Sequence, residues 1–263
     1  MCLAVVALDA HPRHAVVLAA NRDEAHARPA LPAAWWTDVA PPLLAGRDLE
    51  GGGTWLGVDR RGRFAFVTNV RDPARHDRAA PTRGTLVPRV LADNAPVDVA
   101  VARAVQDGRA LNGFNLLAGD AHGAAWGSNR GVAGERLAPG VHGVSNARLD
   151  TPWPKVVRTR ERLAAWIASG DDDLAPLFAL LADRTRAPDD ELPDTGVGRD
   201  RERLLSPPFI LGATYGTRCS TVVTIGRDGH VRFVERRFDA GGVAVGESQF
   251  AFVAAGVSAA RVA

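Results

Sequence analysis

The sequence predicts an α+β protein in which antiparallel β-sheet carries helices on its faces. Short apolar runs come in pairs around turn residues, which is typical of β-hairpins, and helical patterns fall in separate blocks between these pairs. Strands and helices do not alternate regularly along the chain, so a doubly wound parallel sheet is disfavoured. A chain of 263 residues fits one large domain, and we therefore expect a single unit over residues 1–263.

Four hairpins are predicted. In the first, apolar runs at 3–8 and 15–20 flank the turn residues DAHPRH. A turn centred near His11 and Pro12 pairs residues whose numbers sum to about 23, which brings Cys2 to the start of the sequence NRDE, residues 21–24. The other three hairpins pair residues 54–58 with 64–70, 113–120 with 124–130, and 220–225 with 230–238.

Helices are predicted between the hairpins. Leucine and phenylalanine recur with i, i+3, i+4, i+7 spacing from Leu174 to Leu181, after an acidic start that suits a helix N-terminus. A second helix is predicted over 153–167, and residues 84–106 predict two more with a break near Pro96. The proline-rich region 185–208 is the longest predicted loop.

Composition argues against several classes of partner. The formal net charge is +2 and no block of Lys or Arg stands out, so we expect no nucleic-acid partner. No apolar stretch approaches the length of a membrane span, and no signal peptide is recognisable. Two cysteines match no zinc spacing, so we expect no metal site. These observations predict a cytoplasmic protein, and they leave its oligomeric state open.

Cys2 is the most informative position. Cytosolic processing removes an initiator methionine when the next residue is small, and cysteine qualifies. The mature chain would then begin with a thiol next to a free α-amine whose pKa is near 8, which supplies a nucleophile and a base within one residue. The alternative is a buried and inert strand cysteine, which is common in proteins.

Polar residues at four strand ends are candidates for the same site. In NRDE, Arg22 could lower a thiol pKa, Asp23 could orient the α-amine, and Asn21 could donate to an oxyanion. We expect Asn21, Glu24, Asn69 and Arg71 to bind a ligand, and the segments around Asn146 and Arg218 to line the same pocket. Turn chemistry and structural ion pairs, such as one between Arg22 and Glu24, would explain each segment taken alone.

The segments together resemble the NRDE family, also called the Transport and Golgi organisation 2 family. In chain order they are MC, VVLAANRDE, RP, W, AGRD, GGTWLG, GRFAFVTNVR, GFNLL, GVSNARLDTPWPKV, DDELPDTG and YGTRCST. The resemblance reaches roughly Phe238, and residues 239–263 form a divergent C-terminal segment that matches none of these motifs. Thr82 stands where the family usually has serine.

The resemblance implies an N-terminal nucleophile hydrolase-like fold, a four-layer αββα sandwich of two antiparallel sheets. In cysteine-type relatives such as penicillin V acylases and bile-salt hydrolases, an arginine and an aspartate after the second strand assist the nucleophile, and Arg22 and Asp23 look like their counterparts. Asn146 is similar in context to the oxyanion asparagine, with Asn69 as an alternative, and Arg218 to a later arginine. The order NRDE departs from the usual Arg-Asn-x-Asp of those enzymes.

Two functions follow from these expectations. The first is an amidohydrolase that cleaves a linear C–N bond of a small-molecule amide through Cys2 and requires no cofactor. The second is a non-catalytic protein that binds or traffics haem or an acyl lipid, since animal members of the family are linked to haem trafficking. The chain contains no Cys-x-x-Cys-His motif, which excludes covalent c-type haem.

Overall fold

The computed structural model describes residues 2–255 and consists of two antiparallel sheets with helices on their outer faces. The α+β prediction is confirmed. The strands in chain order are β1 (Cys2–Leu8), β2 (His14–Ala25), β3 (Ala30–Trp36), β4 (Leu43–Asp48), β5 (Leu56–Asp59), β6 (Phe64–Asn69), β7 (Phe114–Asp120), β8 (Gly123–Ser128), β9 (Val132–Arg136), β10 (Gly140–Val144), β11 (Tyr215–Gly226), β12 (His230–Phe238) and β13 (Ala244–Val253). The α-helices are α1 (Leu86–Ala92), α2 (Val97–Asp107), α3 (Pro154–Ser169), α4 (Ala175–Leu181) and α5 (Arg199–Leu205).

The first sheet separates two apolar layers because the side chains of its strands alternate between its faces. Its six strands have the order β10-β1-β2-β11-β12-β13. Ala4 and Val6 of β1 pack into the core between the sheets, against residues such as Phe66 of the second sheet. Val5 and Ala7 pack outwards on α3 and α4. One strand therefore contributes to both layers.

The second sheet repeats this arrangement on the other side of the molecule. Its seven strands run in sequence order from β3 to β9. Ala65 and Val67 of β6 face outwards and pack with Leu86 of α1 and Val101 of α2. The layers are thus helix, sheet, sheet, helix, and the four-layer αββα arrangement is confirmed.

The first hairpin forms as predicted, but its register differs from the prediction by one residue. Leu8 pairs with Val16, so paired numbers sum to 24 and Cys2 lies opposite Arg22 rather than Asn21. The backbone N–H of Asp9 donates to the Ala15 carbonyl at 2.8 Å and continues the same register, so the turn is centred on Pro12. A shift of one residue in the pairing turns every side chain of a strand to the other face of the sheet. In the observed register, Arg22 and not Asn21 is therefore on the same face as Cys2.

All four predicted helices are present, including the break near Pro96 between α1 and α2, but α5 was not predicted. It lies in the region 185–208 that was predicted to be a loop, and its sequence RDRERLL buries only Glu202 and Leu205. A short polar helix leaves no clear apolar periodicity. The described part of segment 239–263 contributes β13, which pairs with β12 at the edge of the first sheet. No helix within residues 2–255 is long and apolar enough to cross a membrane.

Candidate active site

Strand pairing places Cys2, Arg22 and Cys219 side by side on the inner face of the first sheet. Arg22 in β2 pairs with Cys2 of β1 on one side and with Cys219 of β11 on the other. Two strand spacings, roughly 10 Å in all, therefore separate the two cysteines, which is too far for a disulfide. Both cysteines are free. Burial raises the pKa of each thiol, and that of Cys219 well above its ordinary value.

Arg22 is held as a buried cation between the sheets. Its guanidinium stacks on the Trp55 ring at 4.2 Å from the centroid and pairs with Asp48 at 3.7 Å. Trp55 fits there because Gly46 has no side chain, as a Cβ at Gly46 would lie 2.5 Å from the indole. A cation over an aromatic face and beside a carboxylate is stable even where water is excluded. The positive charge therefore stays next to Cys2.

Asp23 follows Arg22 and occupies a buried environment with unusual electrostatics. Thr217 donates its hydroxyl to the Asp23 carboxylate at 2.7 Å, and Tyr215 donates to the Asp23 carbonyl at 2.8 Å. Burial raises the pKa of Asp23 to about 6, although the charge of Lys155 acts in the opposite direction. The backbone N–H of Asp23 lies beside the Cys2 thiol and favours its thiolate.

Lys155, in the first turn of α3, is a site residue that sequence reasoning missed. Its side chain is buried, and Nζ donates to the Leu205 carbonyl at 3.0 Å. Burial lowers the pKa of Lys155 to about 8, while the charge of Asp23 works against this. It is also the only lysine in the chain, where arginine supplies every other fixed side-chain cation. Its being the only lysine was the sequence feature that could have identified Lys155 as a site residue.

Two asparagines meet beside β1. Asn146 Nδ2 donates to both the backbone and the side-chain oxygen of Asn69, each at 3.0 Å. Ser145, the preceding residue, donates its hydroxyl to the Cys2 carbonyl at 3.0 Å. Among residues 2–255, Asn69 Nδ2 donates only to the Val70 carbonyl, at 3.4 Å. The amide hydrogens of Asn146 are thus donated to Asn69, and Asn69 itself lines a cavity that Cys2 also lines.

Arg71 and Glu202 form a buried ion pair behind these asparagines. Glu202 belongs to α5 and also accepts the backbone N–H of Thr195 at 3.0 Å. The Arg71 guanidinium lies over the Trp153 ring at 4.8 Å from the centroid and reaches Asn146 Oδ1 at 3.5 Å. The short polar helix α5 therefore supplies the counter-ion that keeps Arg71 in place.

Substituting Arg71 by methionine is expected to destabilise the fold by about 3–5 kcal/mol, since Glu202 would remain as an uncompensated buried charge. Urea unfolding would measure the loss. The matched control is Arg203→Met: Arg203 lies on α5, like Glu202, and its ion pair with Asp189 is exposed, so its loss should change stability little. The double variant Arg71→Met with Glu202→Gln should recover part of the loss, and equal effects of the two single arginine variants would contradict the assignment.

Two adjoining cavities open at this site. A polar cavity of about 420 Å³ is lined by charged and polar residues that include Cys2, Arg22, Asp23 and Asp48. An apolar cavity of about 630 Å³ lies beside it, with walls that include Val70, Pro73, Leu204 and Leu205. The two cavities share the lining residues Glu24, Asn69, His76, Arg83 and Asn112. A ligand could therefore extend from Cys2 into the apolar cavity.

The predicted site residues divide between the cavities and their surroundings. Glu24 and Asn69 line both cavities, and Arg71 lines the apolar one. Asn21 faces the helical layer instead, and its Nδ2 donates to the carbonyls of Leu181 and Pro208 at 2.8 and 2.9 Å. Its expected contact with an oxyanion is thus replaced by a structural role, which follows from the corrected register.

Arg218 also lies apart from the two cavities. Its guanidinium donates to the carbonyls of Ala25, His26 and Arg28 at 2.8–3.1 Å and so holds the turn that follows β2. The irregular pairing between β2 and β11 at Thr217 and Cys219 sets Arg218 in this position. Within residues 2–255, no group of three His, Cys, Asp or Glu side chains could hold a metal ion.

Comparison with known proteins agrees with the resemblance seen in the motifs. The family model described as Transport and Golgi organisation 2 matches residues 1–240. The chain belongs to this family. It is 35% identical to the Transport and Golgi organization protein 2 homolog of Bos taurus and 34% identical to that of Homo sapiens, over 90% of this chain and 92% of each relative. The Drosophila melanogaster protein of the family is 27% identical over 89% of this chain and 91% of its own length.

Solved structures show the fold of this family member. A mutant conjugated bile acid hydrolase from Clostridium perfringens superposes with a TM-score of 0.54 at 11% identity, covering 96% of this chain and 92% of that one. The N-terminal nucleophile hydrolase-like fold is therefore confirmed. A Caenorhabditis elegans N-acylethanolamine-hydrolyzing acid amidase ortholog also matches, with a TM-score of 0.48 at 11% identity over 84% of this chain and 92% of that one.

Proposed function

We propose that this protein is an amidohydrolase that cleaves a linear C–N amide bond of a small molecule with Cys2 as an N-terminal nucleophile. The observation that carries the proposal is the position of Cys2: it starts β1, lies opposite Arg22, and lines a cavity together with Arg22 and Asp23. A thiol on the wall of a cavity that a fixed cation and a carboxylate also line is in a position for nucleophilic attack. A free thiol nucleophile also needs a reducing compartment, which supports a location in the cytoplasm.

The mechanism begins with removal of Met1, which leaves the α-amine on Cys2. The thiol transfers its proton to this amine and its sulfur attacks the amide carbonyl carbon, forming a C–S bond and a tetrahedral oxyanion. The protonated amine then gives its proton to the departing nitrogen as the C–N bond breaks. Water, deprotonated by the same amine, attacks the thioester and releases the acid. Asp23 holds the amine and Arg22 stabilises the thiolate.

Asn69 is our candidate for the oxyanion donor. Within the described part of the chain, the Nδ2 of Asn69 makes one long contact, with the Val70 carbonyl, and Asn69 lines the polar cavity together with Cys2. Asn146 has both amide hydrogens accepted by Asn69 and therefore acts through it, by fixing its orientation. An amide N–H held in place before reaction is what an oxyanion hole requires. The family resemblance predicts Asn146 for this role, with Asn69 as the alternative.

The structural neighbour supports the proposal by analogy. It is a hydrolase, and the variant that was solved carries alanine in place of a cysteine at its second position. At 11% identity this likeness concerns the fold, so the reaction of this chain has to be tested directly.

The test is turnover of a panel of N-acyl amides by protein with its native N-terminus. The panel should vary the acyl chain from acetyl to palmitoyl, because the apolar cavity adjoins Cys2. Product acids would be measured by mass spectrometry, and we expect multiple turnovers for at least one amide. If protein that has lost Met1 turns over none of them, the hydrolase proposal fails.

The rate of acylation should depend on pH through Asp23. The free-base fraction of the α-amine falls as pH drops below about 8. Protonation of Asp23 at its raised pKa of about 6 removes the negative charge that holds the amine. The acylation rate should therefore fall more steeply with decreasing pH below about pH 6. Lys155→Met removes a cation that lowers the pKa of Asp23, so the steepening should move to higher pH. The burst of nitrophenolate from 4-nitrophenyl acetate would measure both profiles.

Thr159→Val is the matched control for the Lys155 substitution. It removes another buried polar group from α3, the hydroxyl that donates to the Lys155 carbonyl at 2.6 Å, and leaves the charge unchanged. In this variant, the pH below which the acylation rate falls more steeply should be the same as in the unmodified protein. An unshifted profile in Lys155→Met would mean that Asp23 does not control the acid limb.

A carrier function is the second candidate, and the apolar cavity favours it. A volume of about 630 Å³ lined by Val197, Leu204 and Tyr215 could enclose an acyl chain or part of a haem without any reaction at Cys2. Titration with haem, followed by absorbance, distinguishes this function. A saturable spectral shift that persists in Cys2→Ala would support it, and no shift at micromolar protein would count against haem as the ligand.

A further inference from the structure

Arg83 is a partly buried arginine at the junction of the two cavities, and neither the mechanism above nor the sequence analysis uses it. It lines both the polar and the apolar cavity. Its NH1 donates to the Gly113 carbonyl at 3.1 Å. Among the described residues, no carboxylate oxygen lies within 4.0 Å of the Arg83 guanidinium, so Arg83 has no ion-pair partner there. The other arginines near Cys2 differ in this respect, since Arg22 and Arg28 both pair with Asp48.

The backbone around Arg83 is held in a fixed position. Thr82 accepts the Gly84 N–H through its hydroxyl at 3.1 Å, a contact that the family's usual serine could also make. The Gly84 carbonyl accepts the Thr54 N–H at 3.0 Å. Gly53 lies against Gly84 so closely that a Cβ at Gly53 would be 2.3 Å from the Gly84 carbonyl carbon. This glycine contact fixes the segment that presents Arg83 to the cavities.

The charge of Arg83 is only partly offset by its surroundings. Burial lowers the pKa of Arg83, and Cys2 and Glu24 are the groups that most oppose this effect. Glu24 is itself engaged, because its carboxylate accepts the Ala25 N–H at 2.8 Å and lies 3.9 Å from Arg28. An always-protonated guanidinium with free N–H groups, at a cavity wall near the nucleophile, is suited to bind an anion.

We propose that Arg83 binds an anionic group of the substrate, a carboxylate or a phosphate, carried close to the scissile amide. The inference rests on the proposed function and narrows its substrate class. The amide would carry its anion at the cavity junction and its acyl chain in the apolar cavity. A guanidinium that already donates one N–H to Gly113 still has a pair of N–H groups for two anion oxygens.

Two alkylating reagents that differ in charge would test the inference without knowledge of the substrate. Iodoacetate carries a carboxylate and iodoacetamide a neutral amide, and both alkylate the same thiolate. The quantity measured is the rate of Cys2 alkylation by iodoacetate divided by the rate of its alkylation by iodoacetamide. We expect Arg83→Met to lower this ratio by about tenfold or more. Arg83→Lys, which keeps the charge, should lower it less. Arg109→Met removes the same charge from an exposed position outside both cavities and should leave the ratio unchanged.

The anion itself can be identified by protection. N-acetylglycine and inorganic phosphate would compete with iodoacetate in the unmodified protein, and the neutral N-acetylglycinamide would serve as the control. Selective protection by N-acetylglycine indicates a carboxylate, and selective protection by phosphate indicates a phosphate ester. If both reagents alkylate Cys2 and Arg83→Met leaves the rate ratio unchanged, the inference about Arg83 is wrong and the proposed function is not affected. Failure of both reagents to modify Cys2 would overturn the proposed function, and the inference with it.

Discussion

Replacing Cys2 by alanine is expected to abolish the acylation burst and to lower amide turnover by on the order of 10⁴-fold or more, because the other thiol, Cys219, is buried and lines neither of the two cavities. Cys2→Ser keeps a hydroxyl in the same position and should retain a small residual rate. The measurements are the nitrophenolate burst and, once an amide substrate is found, kcat. Circular dichroism would verify that both variants fold.

Cys219→Ala provides the matched control for Cys2. Cys219 pairs with the same Arg22 from the opposite side, but it is buried, and its pKa is raised well above that of an ordinary thiol. We expect this variant to keep the burst at the level of the unmodified protein. Turnover that survives in Cys2→Ala, or that disappears in Cys219→Ala, would contradict the assigned nucleophile.

Asn69→Ala should lower kcat by about 10²–10³-fold with a smaller change in KM, since an oxyanion donor acts mainly in the transition state. Asn146→Ala should have a smaller effect on kcat because it removes only the group that orients Asn69. The comparison of kcat and KM for the two variants on one amide would separate the roles. A larger loss in Asn146→Ala than in Asn69→Ala would return the oxyanion role to Asn146.

Local patterns predicted those parts of the fold that depend on nearby residues. Alternating and apolar runs located the strands of the hairpins, and the break at Pro96 separated α1 from α2 correctly. The register of the first hairpin was missed by one residue because the residues DAHPRH fit a turn centred between His11 and Pro12 as well as one centred on Pro12, and composition does not distinguish the two. That single residue moved Asn21 away from the site and put Arg22 next to Cys2.

Long-range packing decided the rest of the site. Lys155 and Asp23 are 132 residues apart, and their electrostatic coupling arises only when α3 packs on the first sheet. Glu202 meets Arg71 because of α5, a helix whose polar sequence carries no clear periodic signal. Arg218 followed a family pattern in the sequence, yet the structure uses its guanidinium to hold a turn. Side-chain roles of this kind depend on contacts that spacing alone does not reveal.

The central claim is that Cys2 carries a free α-amine and acts as the nucleophile, and one intact-mass measurement tests it. Untagged protein would be weighed before and after brief exposure to a slowly hydrolysed activated acyl ester at neutral pH. We predict a chain lighter by one methionine residue that gains one acyl group, with no gain in Cys2→Ala. A chain that retains Met1, or one acylated equally in Cys2→Ala, would contradict the account.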